Sequence, residues 1–313
     1  MIKRFSYKPL NVAVDIDAMR IGYPCINRTL DCSANKTFRL KSYSEERLVE
    51  TVDNNLRCLK EILAFNVDHD IYFFRITSDL VPFASHEINT FNWQNHFSGA
   101  FQELGDFIDE RDMRVAMHPD QFIVLNSIHE HVYERSLAEL RYHAEMLDLM
   151  HVDATAKIQI HVGGVYDDKE ASMERFAGRY NELDDQIKKR LVVENDDVSY
   201  TIEDCIQIHE MTGIPVVFDY LHHHVKRSDG SLNEILRRVD ATWSDYDGLP
   251  IYDYSSQEPG ERAGKHAEHI DRHDFTDFLE KTKEHAFDVM LEIKDKEKSA
   301  IDAIEAARQK DLL

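Results

Sequence analysis

Glycine and proline are scarce, 11 and 7 in 313 residues, while 42% of the chain is apolar. Together they make up about half the usual share of roughly 12%, which excludes a mostly disordered chain. Cations are also in deficit. Lys and Arg number 37 against 59 Asp and Glu, a formal charge of −22, which excludes a generally basic, non-specific nucleic-acid binder. Any polyanion must meet a local exception, and the acid excess fits a high-salt habitat and ordinary solubility alike. The four cysteines, Cys25, Cys32, Cys58 and Cys205, contain no C-x-x-C. A chain of this length folds without cross-links, so free thiols in a reducing compartment are expected. No run of about 18 apolar residues occurs, and the start Met1–Tyr7 lacks the apolar stretch of an export signal. A cytoplasmic protein with no membrane association is therefore expected. Finally, no G-x-G-x-x-G or G-x-x-x-x-G-K-[ST] follows any predicted strand, which argues against a dinucleotide fold, a P-loop enzyme and a nucleotide cofactor.

What the sequence does contain is alternation. Short β-branched runs are predicted as strands at Ile71–Phe74, Arg114–Met117, Lys157–Ile160, Leu191–Val193, Pro215–Phe218, Pro250–Tyr252 and Asp288–Leu291, with another around Arg20 to Tyr23. Between them lie stretches of helical spacing, such as Leu48, Val52, Leu56, Leu59 and Leu63, or Leu137, Leu140, Ala144 and Leu147. Several strands are apolar throughout, as when both faces are covered by protein. Eight βα units without a visible linker predict an α/β protein, a single (β/α)8 barrel of the TIM type over residues 1–313, with an open doubly wound sheet as the rival. The acidic pair Asp167-Asp168 and the run Lys294 to Lys298 are expected on solvated surface.

The strands end one after another in metal-binding residue types: His118, His161, Glu194, Asp219, Asp253 and Glu292. In a barrel all strands run one way, so these six side chains would converge at the carboxyl-terminal mouth, where such enzymes keep their active sites. Carboxylates gathered there repel one another unless cations are present. Mixed imidazole and carboxylate donors suit zinc, manganese or iron better than calcium. His222, three residues after Asp219, and His266, in the loop after the seventh strand, would add a further site. His129, His131, His143, His151, His209, His273 and His285 are expected on surfaces or helix faces, and His223 and His224 are left open. Two or three divalent ions suit phosphodiester hydrolysis, and loop cations such as Lys226, Arg227, Arg262, Lys265 and Lys294 would help DNA approach.

Gly22-Tyr23-Pro24-Cys25-Ile26-Asn27, Pro82-Phe83-Ala84-Ser85-His86, His118-Pro119-Asp120-Gln121-Phe122, Glu194-Asn195-Asp196, Asp219-Tyr220-Leu221-His222-His223 and Leu291-Glu292-Ile293-Lys294-Asp295-Lys296-Glu297 resemble, in order, the motifs of UV-damage endonucleases. The resemblance implies a barrel related to endonuclease IV and an ATP-independent cut 5′ to a photoproduct in double-stranded DNA, leaving 3′-hydroxyl and 5′-phosphate ends. It implies two or three divalent ions, often manganese, and catalytic roles for Glu194, Asp219 and Glu292. Glu194 would bridge two ions, His118 and His161 on one and Asp219 and Glu292 on the other, with His222 and His266 serving a third. Gln121 and Phe122 look like the paired residues that probe the lesion, where weakened stacking lowers the cost of extrusion. Tyr23, Asn27 and His86 match damage-site positions. Two departures stand out: Phe122 replaces the family's usual Tyr, and Ile251-Tyr252-Asp253 stands where the family generally has Lys-x-His. A monomer is expected. A sugar or sugar-phosphate isomerase built on the same strand-end ligands is the enzymatic rival, and a damage-binding protein without activity is a third reading.

Overall fold

The computed structural model describes residues 19–119 and 122–313; Met1–Tyr7 and Gln121 lie outside the described residues. The strands β1 (Ile21–Pro24), β2 (Phe73–Ile76), β3 (Arg114–Met117), β4 (Lys157–His161), β5 (Leu191–Glu194), β6 (Val216–Asp219), β7 (Ile251–Tyr254) and β8 (Asp288–Leu291) pair in parallel in sequence order, and β8 closes onto β1. Around this barrel lie α1 (Glu45–Asp68), α2 (Trp93–Glu110), α3 (Glu130–Leu149), α4 (Lys169–Asn181), α5 (Asp185–Lys188), α6 (Ile202–Thr212), α7 (Tyr220–Val225), α8 (Leu232–Asp240), α9 (Arg272–Thr282) and α10 (Glu297–Arg308). None of the described helices is long and apolar enough to cross a membrane.

The barrel follows from a two-residue repeat inside the strands. Successive side chains alternate between the lumen and the helices. Outward residues such as Phe74, Val115, Ile158, Val193, Val216 and Val289 join the main core with the apolar faces of α1, α2 and α3. Inward, Phe73, Ala116, Val192, Val217, Ile251 and Met290 form a separate apolar layer. Two residues further along each strand the lumen turns polar: Arg75 follows Phe73, Glu194 follows Val192, Asp219 follows Val217, Asp253 follows Ile251 and Glu292 follows Met290. At the opposite end, ion pairs stopper the barrel, Arg114 with Asp288 at 2.8 Å and Lys157 with Asp247 at 2.6 Å. The apolar layer separates this stopper from the mouth.

Helix ends are specified locally. Ser44 accepts the Arg47 amide to start α1, and the reciprocal pairs Thr201/Asp204 and Ser231/Glu234 start α6 and α8.

Three sequence expectations are corrected. Cys32 and Cys58 form a disulfide that ties the β1–α1 loop to α1; at a sequence separation of 26, no local spacing signals the pair. The second strand starts at Phe73 and runs through Arg75, because a charge read as the end of an apolar run faces the lumen instead. Glu297, expected on solvated surface, is wholly buried and accepts bonds from the Arg28 amide and the Thr29 hydroxyl, both at 2.8 Å.

One helix position shows a packing constraint that opposes propensity. A Cβ on Gly105, inside α2, would lie 1.6 Å from the Met150 carbonyl oxygen. Intrinsic propensity alone favours Ala over Gly in a helix by about 1 kcal/mol. The clash reverses the sign, and Gly105→Ala is expected to lose about 1–3 kcal/mol, read from the urea midpoint; a stabilised variant would mean that the contact is absent.

Candidate metal centre at the barrel mouth

All six strand-end residues, with His222, come together at the mouth. Three donor sets have ligand atoms within 4.8 Å of each other: His118, His161 and Glu194; Glu194, Asp219 and His222; and Asp219, Asp253 and Glu292. Glu194 and Asp219 belong to two sets each, so the three are contiguous.

Short-range structure aims these groups. One Asp219 oxygen caps α7 by accepting the His222 amide at 2.6 Å, and that turn brings the His222 Nδ1 to 3.1 Å from Glu194 and 3.4 Å from Asp219. Asn195, directly after Glu194, donates to the Asp219 carbonyl and accepts its amide, locking the ends of β5 and β6 together. His118 Nδ1 lies 2.9 Å from the Pro119 carbonyl, and His266 Nδ1 lies 2.6 Å from the Glu292 carbonyl. A carbonyl only accepts, so each Nδ1 carries the proton and each Nε2 presents a lone pair. The His118 Nε2 nevertheless lies 3.2 Å from a Glu194 oxygen. Two acceptors at that distance require a proton or another cation between them. His161 Nε2 is 3.7 Å from the same carboxylate, and among the described residues its buried Nδ1 has no hydrogen-bond partner. This donor chemistry fits divalent cations, so the described residues could hold metal ions.

Charge at the mouth is strongly redistributed. Burial would raise the Glu194 carboxyl, but His161, His118 and His222 outweigh it and hold it well below the usual range. Asp219 goes the other way: burial, with Glu194, Glu292 and Asp253 close by, lifts it well above the carboxylate range despite His222. Burial lowers His222, yet Asp219 and Glu194 reverse this and push it up to about 11.

Beneath the ligands lies Arg75, 3% exposed, the residue that strand-end reasoning missed. Its guanidinium holds both Asp253 oxygens at 2.9 and 2.8 Å, donates to the Gln159 carbonyl oxygen at 2.9 Å and bonds Glu292. Gln159 in turn donates to Glu194 and to Asp253, each at 2.5 Å. Burial raises both acids; Arg75 overrides it at Glu292, held at about 2, while Asp253 still rises to about 7. The signal was present in sequence: Lys157, Gln159 and His161 alternate with isoleucines, so β4 lines the lumen with polar groups, and Phe73-Phe74-Arg75 has the same two-residue step as Val192-Val193-Glu194.

The other expected site residues divide. His266 stands beside this centre, its ring 6.0 Å from that of His222, but belongs to none of the three donor sets found among the described residues. His223 is buried against Phe218, and the His224 ring packs on Tyr220. Phe122 projects from the β3–α3 loop with 77% of its surface exposed. It lines a cavity of about 620 Å³ together with Pro82, Phe83 and His86. Tyr23 and Asn27 do not line that cavity. Both are buried, Tyr23 in β1 and Asn27 in the loop after it: the Asn27 amide donates to the Tyr23 hydroxyl, which donates to Asn66.

Residues 19–310 match the family described as UV-endonuclease UvdE. The UV DNA damage endonuclease of Clostridium perfringens (strain 13 / Type A) is 39% identical over 293 residues, covering 93% of this chain and 71% of that protein. That of Bacillus cereus (strain 03BB102) is 33% identical over 297 residues, covering 92% and 94%. The crystal structure of SacUVDE superposes with a TM-score of 0.90 at 45% identity, covering 95% of this chain and 100% of that one. A D-psicose 3-epimerase from Clostridium cellulolyticum H10, at 12% identity and a TM-score of 0.52, covering 80% of this chain and 92% of that one, shares the barrel alone. By the extent of the family match and by these relatives, the chain belongs to the UV-endonuclease UvdE family.

Proposed function

We propose that this chain is a metal-dependent DNA repair endonuclease, a single catalytic domain that incises the phosphodiester bond 5′ to a UV photoproduct and leaves 3′-hydroxyl and 5′-phosphate ends. The observation that carries this reading is the run of three contiguous donor sets sharing Glu194 and Asp219 in a chain of this family. Divalent ions, when bound, supply charge to the phosphate and lower the pKa of water toward neutrality. His118, His161 and Glu194 would hold one ion and Glu194, Asp219 and His222 another, with Glu194 between them. The third set already faces the Arg75 guanidinium, one amino group of which bonds Asp253 and the other Glu292. Two ions and one arginine therefore suffice for its charge, with His266 in reserve for a third ion. Manganese fits the mixed imidazole and carboxylate donors, as does zinc. Glu292 stays ionised beside Arg75 and orients His266 through its main-chain carbonyl.

Phe122 supplies the second support. A large apolar side chain left in water on a strongly acidic protein has no folding role, and with Gln121 it forms the pair read from sequence as a wedge. A crosslinked dinucleotide is already poorly stacked, so replacing it in the helix costs less than displacing intact bases. His86, on the wall of the same cavity, would meet an extruded nucleotide. Tyr23 and Asn27 contribute by fixing the loop after β1.

With manganese and a duplex carrying one cyclobutane dimer, the expected result is a single nick 5′ to the dimer. Glu194→Gln should abolish the nick while the circular dichroism spectrum persists; near-parental turnover would remove Glu194 from the bridging position. Phe122→Ala should reduce the preference for damaged over intact duplex by about 1–3 kcal/mol if stacking carries recognition, measured by competition binding.

Metal loading should also be visible as a proton count. His222, pushed up to about 11, is an imidazolium at neutral pH, and a ligand must be the neutral imidazole. Manganese binding is expected to release at least one proton per chain, and affinity should rise about tenfold per pH unit for each proton displaced. Titration in weakly buffered solution reads the protons directly; uptake without release would exclude His222 as a ligand.

A further inference from the structure

An acidic protein that cuts DNA needs cations near the scissile bond, and those expected from sequence are largely committed elsewhere. Lys294 pairs with Glu268 at 2.6 Å, Lys265 with Glu261 at 2.9 Å, and Lys226 donates to the Val198 carbonyl at 2.9 Å. Two residues beyond Lys294 the pattern breaks. Lys296 is half-buried, and among the described residues its ammonium has no hydrogen bond and no ion pair. Burial lowers its pKa, the Cys25 sulfur and Glu292 favour its charge, and Arg75 and Arg28 oppose it. Its charged surroundings are thus those of the metal centre, on the Glu292 side.

The backbone at Lys296 is strained as well, with φ 62° and ψ −118°, a conformation that L residues adopt only when their surroundings hold them there. The restraint is visible on both sides. Glu297 is buried and clamped to the Arg28 amide and Thr29 hydroxyl, and Glu292, four residues earlier, is held by Arg75. Glycine would meet this turn without strain, and a lysine on plain surface would gain nothing from it. A strained, half-buried ammonium with no acid partner, set beside a cluster of ligands for cations, is a site built for an anion that arrives from outside.

Resting on the endonuclease reading, we propose that Lys296 binds a phosphate oxygen of the DNA strand being cut, on the Glu292 side of the metal centre.

The test separates this inference from the reading beneath it. In a Glu194→Gln background, which should not cut, the affinity for the dimer-bearing duplex is measured across a salt series with and without Lys296→Gln. Losing one phosphate contact lowers the slope of log K against log salt by about 0.9. In the chain with Glu194 intact, Lys296→Gln and Lys296→Gly should each lower incision on the order of 10- to 100-fold, with manganese content unchanged and partial recovery in Lys296→Arg. Lys296→Gly should melt at or above the parent's temperature, which keeps the test valid should Lys296→Gln fold poorly. Equal salt slopes, or incision by Lys296→Gly at the parent's rate, would overturn the role of Lys296. Absence of incision by the parent itself would instead reject the endonuclease reading, while the salt slopes would still report on the lysine.

Discussion

The mouth of this barrel depends on how four carboxylates are kept in one buried space. Glu194, Asp219 and Asp253 are each at most 1% exposed, and Glu292 bonds the same guanidinium as Asp253. Burying charge of one sign without compensation costs several kcal/mol per group, so a cation must be built in. Arg75 is that cation. Its two amino nitrogens address Asp253, Glu292 and Gln159, and through Gln159 the network reaches Glu194. The balance is incomplete by design of the residues present: one guanidinium against four acids leaves Asp219 lifted well above the carboxylate range and His222 drawn up as a counter-charge. Arg75 thus holds the folded chain together at a point where further cations remain welcome.

The same alternation that makes the barrel places these groups. Because the lumen repeat is two residues, an apolar floor residue and a polar mouth residue come from the same strand, and neither can move without the other. Val192 with Glu194 and Val217 with Asp219 are such pairs. The site is therefore as rigid as the sheet. Asp219 illustrates the economy: one oxygen ends a strand's work by capping α7, and the other faces the ligand cluster.

Much of this was legible in the sequence. Strand ends at His118, His161, Glu194, Asp219 and Glu292 could be found because a charged or imidazole group terminates an apolar run, and parallel strands bring such ends together. The same rule concealed Arg75, since it treats a charge after Phe73 and Phe74 as the end of the strand instead of its lumen face. Asp253 was located but not its partner, which lies 178 residues away in the chain. Pairings of that kind, like Cys32 with Cys58 or Glu297 with Thr29, exist only once the fold has closed. Phe122 could be singled out by motif, but its exposure could not: apolar character in a sequence argues for burial, and only the fold shows that no core among the described residues receives this ring.

That exposure bears on how a chain of charge −22 meets a polyanion. Leaving a phenylalanine in water forgoes about 1.5–3 kcal/mol of burial, and on the free protein nothing recovers it. The acidic surface meanwhile repels duplex DNA at distances within the Debye length, about 10 Å at moderate salt. On the proposed reading, attraction would then be short-ranged and conditional: cations held at the mouth would draw in a phosphate, and the aromatic ring would be buried only where the duplex can be opened. A basic surface would bind intact and damaged DNA with similar strength, because phosphates carry no record of the lesion. On the proposed reading, an acidic surface with metal ions held at its mouth and the exposed Phe122 ring would make binding depend on the step that differs between the two, the deformation of the bases.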